Sequence, residues 1–67
     1  MTFTAILTPE PEGGDVALDP ETRTTTQGES VSEALANLKE ATELFLEEFP
    51  VHPGARLLLT TFEVANA

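Results

Sequence analysis

Four carboxylates lie close together early in the chain: Glu10, Glu12, Asp15 and Asp19. Two or three such groups on neighbouring strands can hold Mg²⁺ and support phosphoryl-transfer chemistry. Their local context argues for surface charge instead. Glu10 and Glu12 fall in the turn PEPEGG, while Asp15 and Asp19 flank the short stretch DVALD. Alternation along that stretch places both aspartates with Ala17 on an outer side, opposite Val16 and Leu18. The sole imidazole, His52, lies between Pro50 and Pro53 and reads as an exposed loop histidine rather than a general base or metal ligand. Ser30 and Ser32 stand where a helix begins, so capping explains them better than nucleophilic catalysis does. EGGD is too short for a phosphate-cradling loop. No catalytic residue, metal site or cofactor is expected.

The helix that Ser30 opens is the clearest element. Ser30 and Glu33 form the capping-box pattern, and acidic Glu29 and Glu33 suit the positive end of the helix dipole. Val31, Ala34, Leu35, Leu38, Ala41, Phe45 and Phe49 follow at spacings of three and four, which makes an apolar stripe. Glu33, Glu40, Glu43 and Glu47 occupy the opposite side, and Lys39 can pair with Glu43. Leu46 sits at the edge of the stripe, and Leu44 points well away from it. Pro50 and Pro53 end the helix, which therefore spans residues 31–49.

Strands are expected at residues 2–8, 15–19 and 22–27. In the first, Phe3, Ala5 and Leu7 share a face and Ile6 is an apolar exception on the other. Pro-Glu-Pro-Glu-Gly-Gly and Asp-Pro-Glu-Thr supply the turns. The third strand is rich in threonine and suits an edge. Residues 56–64 form a fourth candidate strand. One of its faces carries Leu58, Thr60, Phe62 and Val64, the other Leu57, Leu59, Thr61 and Glu63. The fold class is therefore α+β: an antiparallel three-stranded meander, one amphipathic helix packed on the sheet, and a C-terminal strand.

All of this fits a single domain of 67 residues. A chain of this size buries only about 60% of the surface it exposes when unfolded. It has no cysteine, so neither a disulfide nor a thiolate metal site reinforces it. Small unreinforced chains commonly gain stability by association. One helix covers one face of a sheet, so Ile6 and one side of the last strand are left wet, and contiguous apolar surface marks an interface. Interface residues are expected among Ile6, Leu44, Leu57, Leu58, Leu59, Phe62 and Val64.

Lys and Arg total 3 against 12 Asp and Glu, giving a formal net charge of -9. That field repels phosphate backbones, so direct nucleic-acid binding is not expected. The acidity keeps a small protein soluble, and it also suits a basic protein partner. No stretch approaches the roughly 20 apolar residues of a membrane span. The N-terminal residues lack the pattern of a signal peptide. A cytoplasmic location is expected.

In order, the segments PEGGDVA, TQGESVSEALANLKEATELFLEE and LLTTFEV make the chain resemble the HicB-like antitoxins. The resemblance extends over residues 2–64. It implies a β-β-β-α-β fold, a partial ribonuclease-H-like arrangement without catalytic carboxylates. It further implies dimers or larger oligomers that bind and occlude a small basic HicA-like toxin, which cleaves mRNA. The chain departs from the family pattern at DPETRTTT, where relatives often carry a segment ending in Pro-Gly-Cys. It also ends before the DNA-binding module that many relatives carry, so autoregulation by direct DNA binding is not expected. The leading reading is a non-catalytic, homo-oligomeric binding module of the antitoxin type. The alternative is an orphan homo-oligomeric structural or interaction protein with no toxin partner. A third reading, a metal-dependent nuclease, would require Mg²⁺ at Glu10, Glu12, Asp15 or Asp19.

Overall fold

A computed structural model describes residues 1–51 and 58–65 of the chain. Proline and paired glycines break the alternating N-terminal stretches into strands β1 (Ile6–Pro9), β2 (Asp15–Asp19) and β3 (Thr24–Gly28). They form one antiparallel sheet in the order β1-β2-β3. Ile6 pairs with Leu18 and Pro9 with Asp15, while Asp15 also pairs with Gly28 and Asp19 with Thr24. The α+β meander followed by a helix is thus the architecture of the described residues.

The β1–β2 turn closes with the Gly13 N–H donating to the Glu10 carbonyl and the Glu10 N–H donating to the Gly14 carbonyl, each at 3.0 Å. Gly14 has φ 86°, and a Cβ there would stand 2.7 Å from the Gly28 carbonyl oxygen. Only glycine meets both the left-handed conformation and that close approach at low cost. β1 is shorter than the expected 2–8, and β3 starts two residues later than the expected 22–27. Thr22 and Arg23 belong to the β2–β3 turn instead, where Arg23 takes φ 61°.

Helix α1 (Val31–Glu48) starts where its capping residues specify. Ser30 Oγ accepts from the Glu33 N–H at 3.1 Å, and Glu33 Oε1 accepts from the Glu29 N–H at 3.3 Å. The return bond thus reaches the residue before the cap, a small variation on the capping box. At the far end the Phe49 N–H donates to the Phe45 carbonyl at 2.8 Å, and the two rings pack at a tilt of 35° with centroids 5.1 Å apart. Phe49 leaves the helical region with φ -131° and ψ 80°, as a residue before proline must.

The helix lies over β3 and β2 rather than over β1. Thr26 Oγ1 donates to the Ala34 carbonyl at 3.0 Å, and Asn37 Nδ2 donates to the Gln27 carbonyl at 2.9 Å. These two bonds fix the height of the helix above the strand. The contact is close because Gly28 has no side chain: a Cβ there would lie 2.5 Å from the Ala34 nitrogen. Ala17, Ala34 and Leu38 form the buried apolar core, with Ala5 and Leu7 packed against it.

The covered face of β2 is the reverse of the expected one. Ala17 and Asp19 point under the helix and are buried, whereas Val16 and Leu18 are half-buried on the other side. Small Ala17 suits the close helix, and Asp19 has polar work to do there. Its Oδ1 accepts from the Glu21 N–H at 2.9 Å and the Thr22 N–H at 3.4 Å, and its Oδ2 accepts from Thr42 Oγ1 at 3.3 Å. Asp19 therefore organises a turn and anchors the helix, and it is not on an outer surface. Among the described residues no buried side-chain polar atom lacks a partner.

Among the described residues the expected fourth strand, 56–64, is not shown. Residues 58–64 carry no regular secondary structure and stand exposed. A strand is stabilised when its backbone groups are paired and one face is buried, and residues 58–64 find neither among the described residues. Arg56 and Leu57 lie outside the described residues, as does His52.

Candidate functional site

Elongated chains expose more than their core can bury, and this chain is elongated. Its Cα radius of gyration is 13.7 Å, where a compact domain of this length would show about 11 Å. The excess is accompanied by an apolar C-terminal segment. Leu58, Leu59, Phe62 and Val64 are 86%, 61%, 84% and 62% exposed. Alternation in residues 58–64 would place Leu58, Phe62 and Val64 on one side of a strand.

The strand-and-helix body carries an unfilled groove of about 700 Å³. The N-terminal run contributes Met1, Phe3 and Ala5 to one wall, and the helix contributes Leu35, Leu38 and Leu46 to the other. The groove lies between the N-terminal residues that precede β1 and the helix, which is set over β3 and β2. Leu35, expected within the buried stripe, is exposed on the wall of this groove, and Val31 and Phe49 are exposed at the stripe's ends. Thr42, absent from the expected stripe, is buried because it reaches Asp19.

The sheet face away from the helix carries a second, smaller apolar patch. Ile6 pairs with Leu18, and Val16 stands two residues along from Leu18 on the same side. All three are half-buried although no helix covers them. Leu44 is exposed on α1 and, at helical spacing, stands among Glu40, Glu47 and Glu48. Of the residues expected at an interface, Ile6 therefore lies on the open sheet face, Leu44 on the acidic side of the helix, and Leu58, Leu59, Phe62 and Val64 on the C-terminal segment. Leu57 falls outside the described residues. Val16, Leu18, Phe3, Leu35 and Leu46 were not expected at such surfaces. The signal for Phe3 and Leu46 was present in their apolar type, but their meeting depends on the helix offset.

Of the four early carboxylates, Asp19 stands apart from the other three. Asp15 and Asp19 close opposite ends of β2, about 13 Å apart along the strand. Asp19 is enclosed by Thr42 and the β2–β3 turn. Glu10, Glu12, Asp15, Glu29 and Glu33 instead ring a shallow hollow of about 620 Å³ over Gly14 and Gly28. Among the described residues no group of three or more side chains is placed to hold a metal ion. The hollow's chemistry is that of a concentrated negative surface beside an apolar one. Among the described residues no helix is long and apolar enough to cross a membrane.

Comparison with known proteins finds no matching family model, no matching curated protein and no matching solved structure. Function must therefore be read from these surfaces.

Proposed function

We propose that this chain is a non-catalytic protein-binding module of the HicB antitoxin type, which binds and occludes a small basic HicA-like mRNA-cleaving toxin in the cytoplasm. The observation that carries the reading is the coexistence of two unbalanced surfaces. Four large apolar side chains stand exposed on residues 58–64, next to a body with a formal net charge of -9. Apolar side chains left in water on so small a chain favour association, and the charge selects the partner's sign. The fourth strand and the partial ribonuclease-H-like topology belong to this proposal, as the form the chain takes once residues 58–64 are paired.

The test is titration of the chain with a small basic HicA-like toxin at about 50 and 200 mM salt. Saturable binding that slows in association as salt rises, together with loss of RNA cleavage by the partner, is the expected result. Absence of binding at low salt, or cleavage that persists in a saturated complex, would sink it. The alternative, an orphan homo-oligomer, is favoured by the open groove between residues 1–5 and α1. It would appear as a stable assembly of the chain alone with no affinity for the basic protein.

A further inference from the structure

Pairing between β1 and β2 stops at Ile6 and Leu18, and the sequence gives the reason. Carried further, the same register would set Ala5 against Asp19 and Thr4 against Pro20. Proline has no N–H to give a ladder, so the pairing ends there. The Thr4 N–H donates instead to a side chain, Glu21 Oε1, at 2.7 Å. Glu21 is itself held, because its N–H donates to Asp19 Oδ1 at 2.9 Å, and Asp19 Oδ2 accepts from Thr42 Oγ1 at 3.3 Å. A relay of side-chain hydrogen bonds thus runs from the middle of α1 through Asp19 and Glu21 to Thr4.

Residues 1–3 lie beyond that tie and belong to no strand. Alternation puts Phe3 on the side of Ala5 and Leu7, which pack against the core beneath the helix. The helix advances along β2 in the direction of that strand, from Ala34 over Thr26, the pair of Ala17, to Thr42 over Asp19. β1 is antiparallel to β2, so the chain traced back from Ala5 moves toward the C-terminal end of α1. Two extended residues from Ala5 to Phe3 cover about 7 Å. Four helical residues from Thr42 to Leu46 cover about 6 Å the same way. Phe3 and Leu46 therefore stand level on the two walls of the groove of about 700 Å³. Both are half-buried, and Met1 is 78% exposed.

We propose that residues 1–3 are a strap, hinged at the Thr4–Glu21 bond, which closes on α1 with the Phe3 ring against Leu46, so that the groove alternates between an open and a closed form. Apolar surface leaving water drives closure, and the ordering of residues 1–3 opposes it. On so short a segment neither term dominates, which makes a moving strap instead of a fixed wall. The pivot stays put because the relay that seats the helix also holds it. Glu21 is the positioning residue of the device. Through it the chain sets how much apolar surface the groove offers to another molecule.

The inference does not depend on the antitoxin reading, and its experiment uses the full chain alone. Methyl relaxation dispersion should show Leu38 and Leu46 exchanging on the microsecond-to-millisecond scale of lid motions. Phe3→Ser should abolish that exchange while the helical circular dichroism of the parent is kept. Glu21→Ala should speed hydrogen exchange at the Thr4 amide about tenfold. It should also change the populations seen at Leu46, which the loss of a merely local bond would leave alone. Because the chain has no native cysteine, Phe3→Cys/Leu46→Cys can lock the closed form. Oxidation at low protein concentration should give a disulfide within one chain and quench the exchange at Leu38, and reduction should restore it. Methyl signals free of exchange in the parent would overturn the strap, whether the groove proved permanently open or permanently shut. Exchange that persists in Phe3→Ser, or a disulfide that forms only between chains, would overturn it as well.

Discussion

Thr42 Oγ1 donates to Asp19 Oδ2 across 3.3 Å, joining the middle of α1 to the end of β2 over 23 residues of sequence. Asp19 is 1% exposed, and its other oxygen holds the N–H groups of Glu21 and Thr22. One side chain thus closes the β2–β3 turn and sets the helix over the sheet. Asp19→Ala leaves two turn N–H groups and a hydroxyl unpartnered, at about 1–3 kcal/mol. Thr42→Val removes one bond of the set and should cost about 1 kcal/mol. Urea unfolding of both single variants and the double variant should give less than the sum, since the residues share one network.

The approach of strand to helix at Gly28 makes a second prediction. A Cβ there meets the Ala34 nitrogen at 2.5 Å and the Glu33 carbonyl carbon at 2.8 Å, both backbone atoms that cannot swing aside. Gly28→Ala should destabilise by about 1–3 kcal/mol, the usual cost of forcing atoms into a filled site. Thermal unfolding measures it. An unchanged midpoint would mean that α1 sits farther from β3 than described.

Arg23 is the one described non-glycine residue with positive φ, at 61°. Its backbone conformation costs an ordinary residue about 1–2 kcal/mol relative to the right-handed region. Arg23→Gly should therefore be more stable than Arg23→Val by about that amount. Comparing two variants with the same charge change isolates the backbone term. Equal stabilities by chemical denaturation would show that the turn does not require the left-handed conformation.

Ser30 is the helix cap, with its hydroxyl oxygen 3.1 Å from the Glu33 nitrogen. Ser30→Ala should cost about 1 kcal/mol, while Ser30→Asp should be nearly neutral because aspartate caps equally well. The far-ultraviolet circular dichroism of the helix, followed through a thermal melt, separates the two.

Salt should act in opposite directions on stability and on binding a basic partner. A net charge of -9 repels itself within the folded chain, and the repulsion is screened as ionic strength rises. The melting temperature should increase between about 10 and 500 mM salt, across which the Debye length shortens severalfold. Association with a basic protein should slow over the same range. A melting temperature that falls with salt would point to specific ion pairs dominating over self-repulsion.

Much of this architecture was legible in local pattern. DVALD between a glycine pair and a proline reads as β2, and it is β2 with the same boundaries. Ser-x-x-Glu before a stripe spaced by three and four reads as α1, which runs from Val31 to Glu48. Turn and cap chemistry acts over a few residues, so the information lies where the structure forms. The groove between Phe3 and Leu46 was not legible, because no local pattern records how far a helix slides across a sheet. Thr42 was passed over as a polar residue near an apolar stripe, although its burial depends only on meeting Asp19.

From its sequence alone this chain has three antiparallel strands and one capped amphipathic helix, a strongly negative surface, and more apolar side chains than one helix can cover. The tertiary structure decided which side of each strand is covered. Alternation divides DVALD into two faces without saying which will meet the helix, and the close seat over Gly28 and the bond from Thr42 select Ala17 and Asp19. The tertiary structure also decided the state of residues 58–64. A strand's own pattern makes it ready to pair, but pairing needs an edge within reach, and residues 58–64 stand unpaired and exposed.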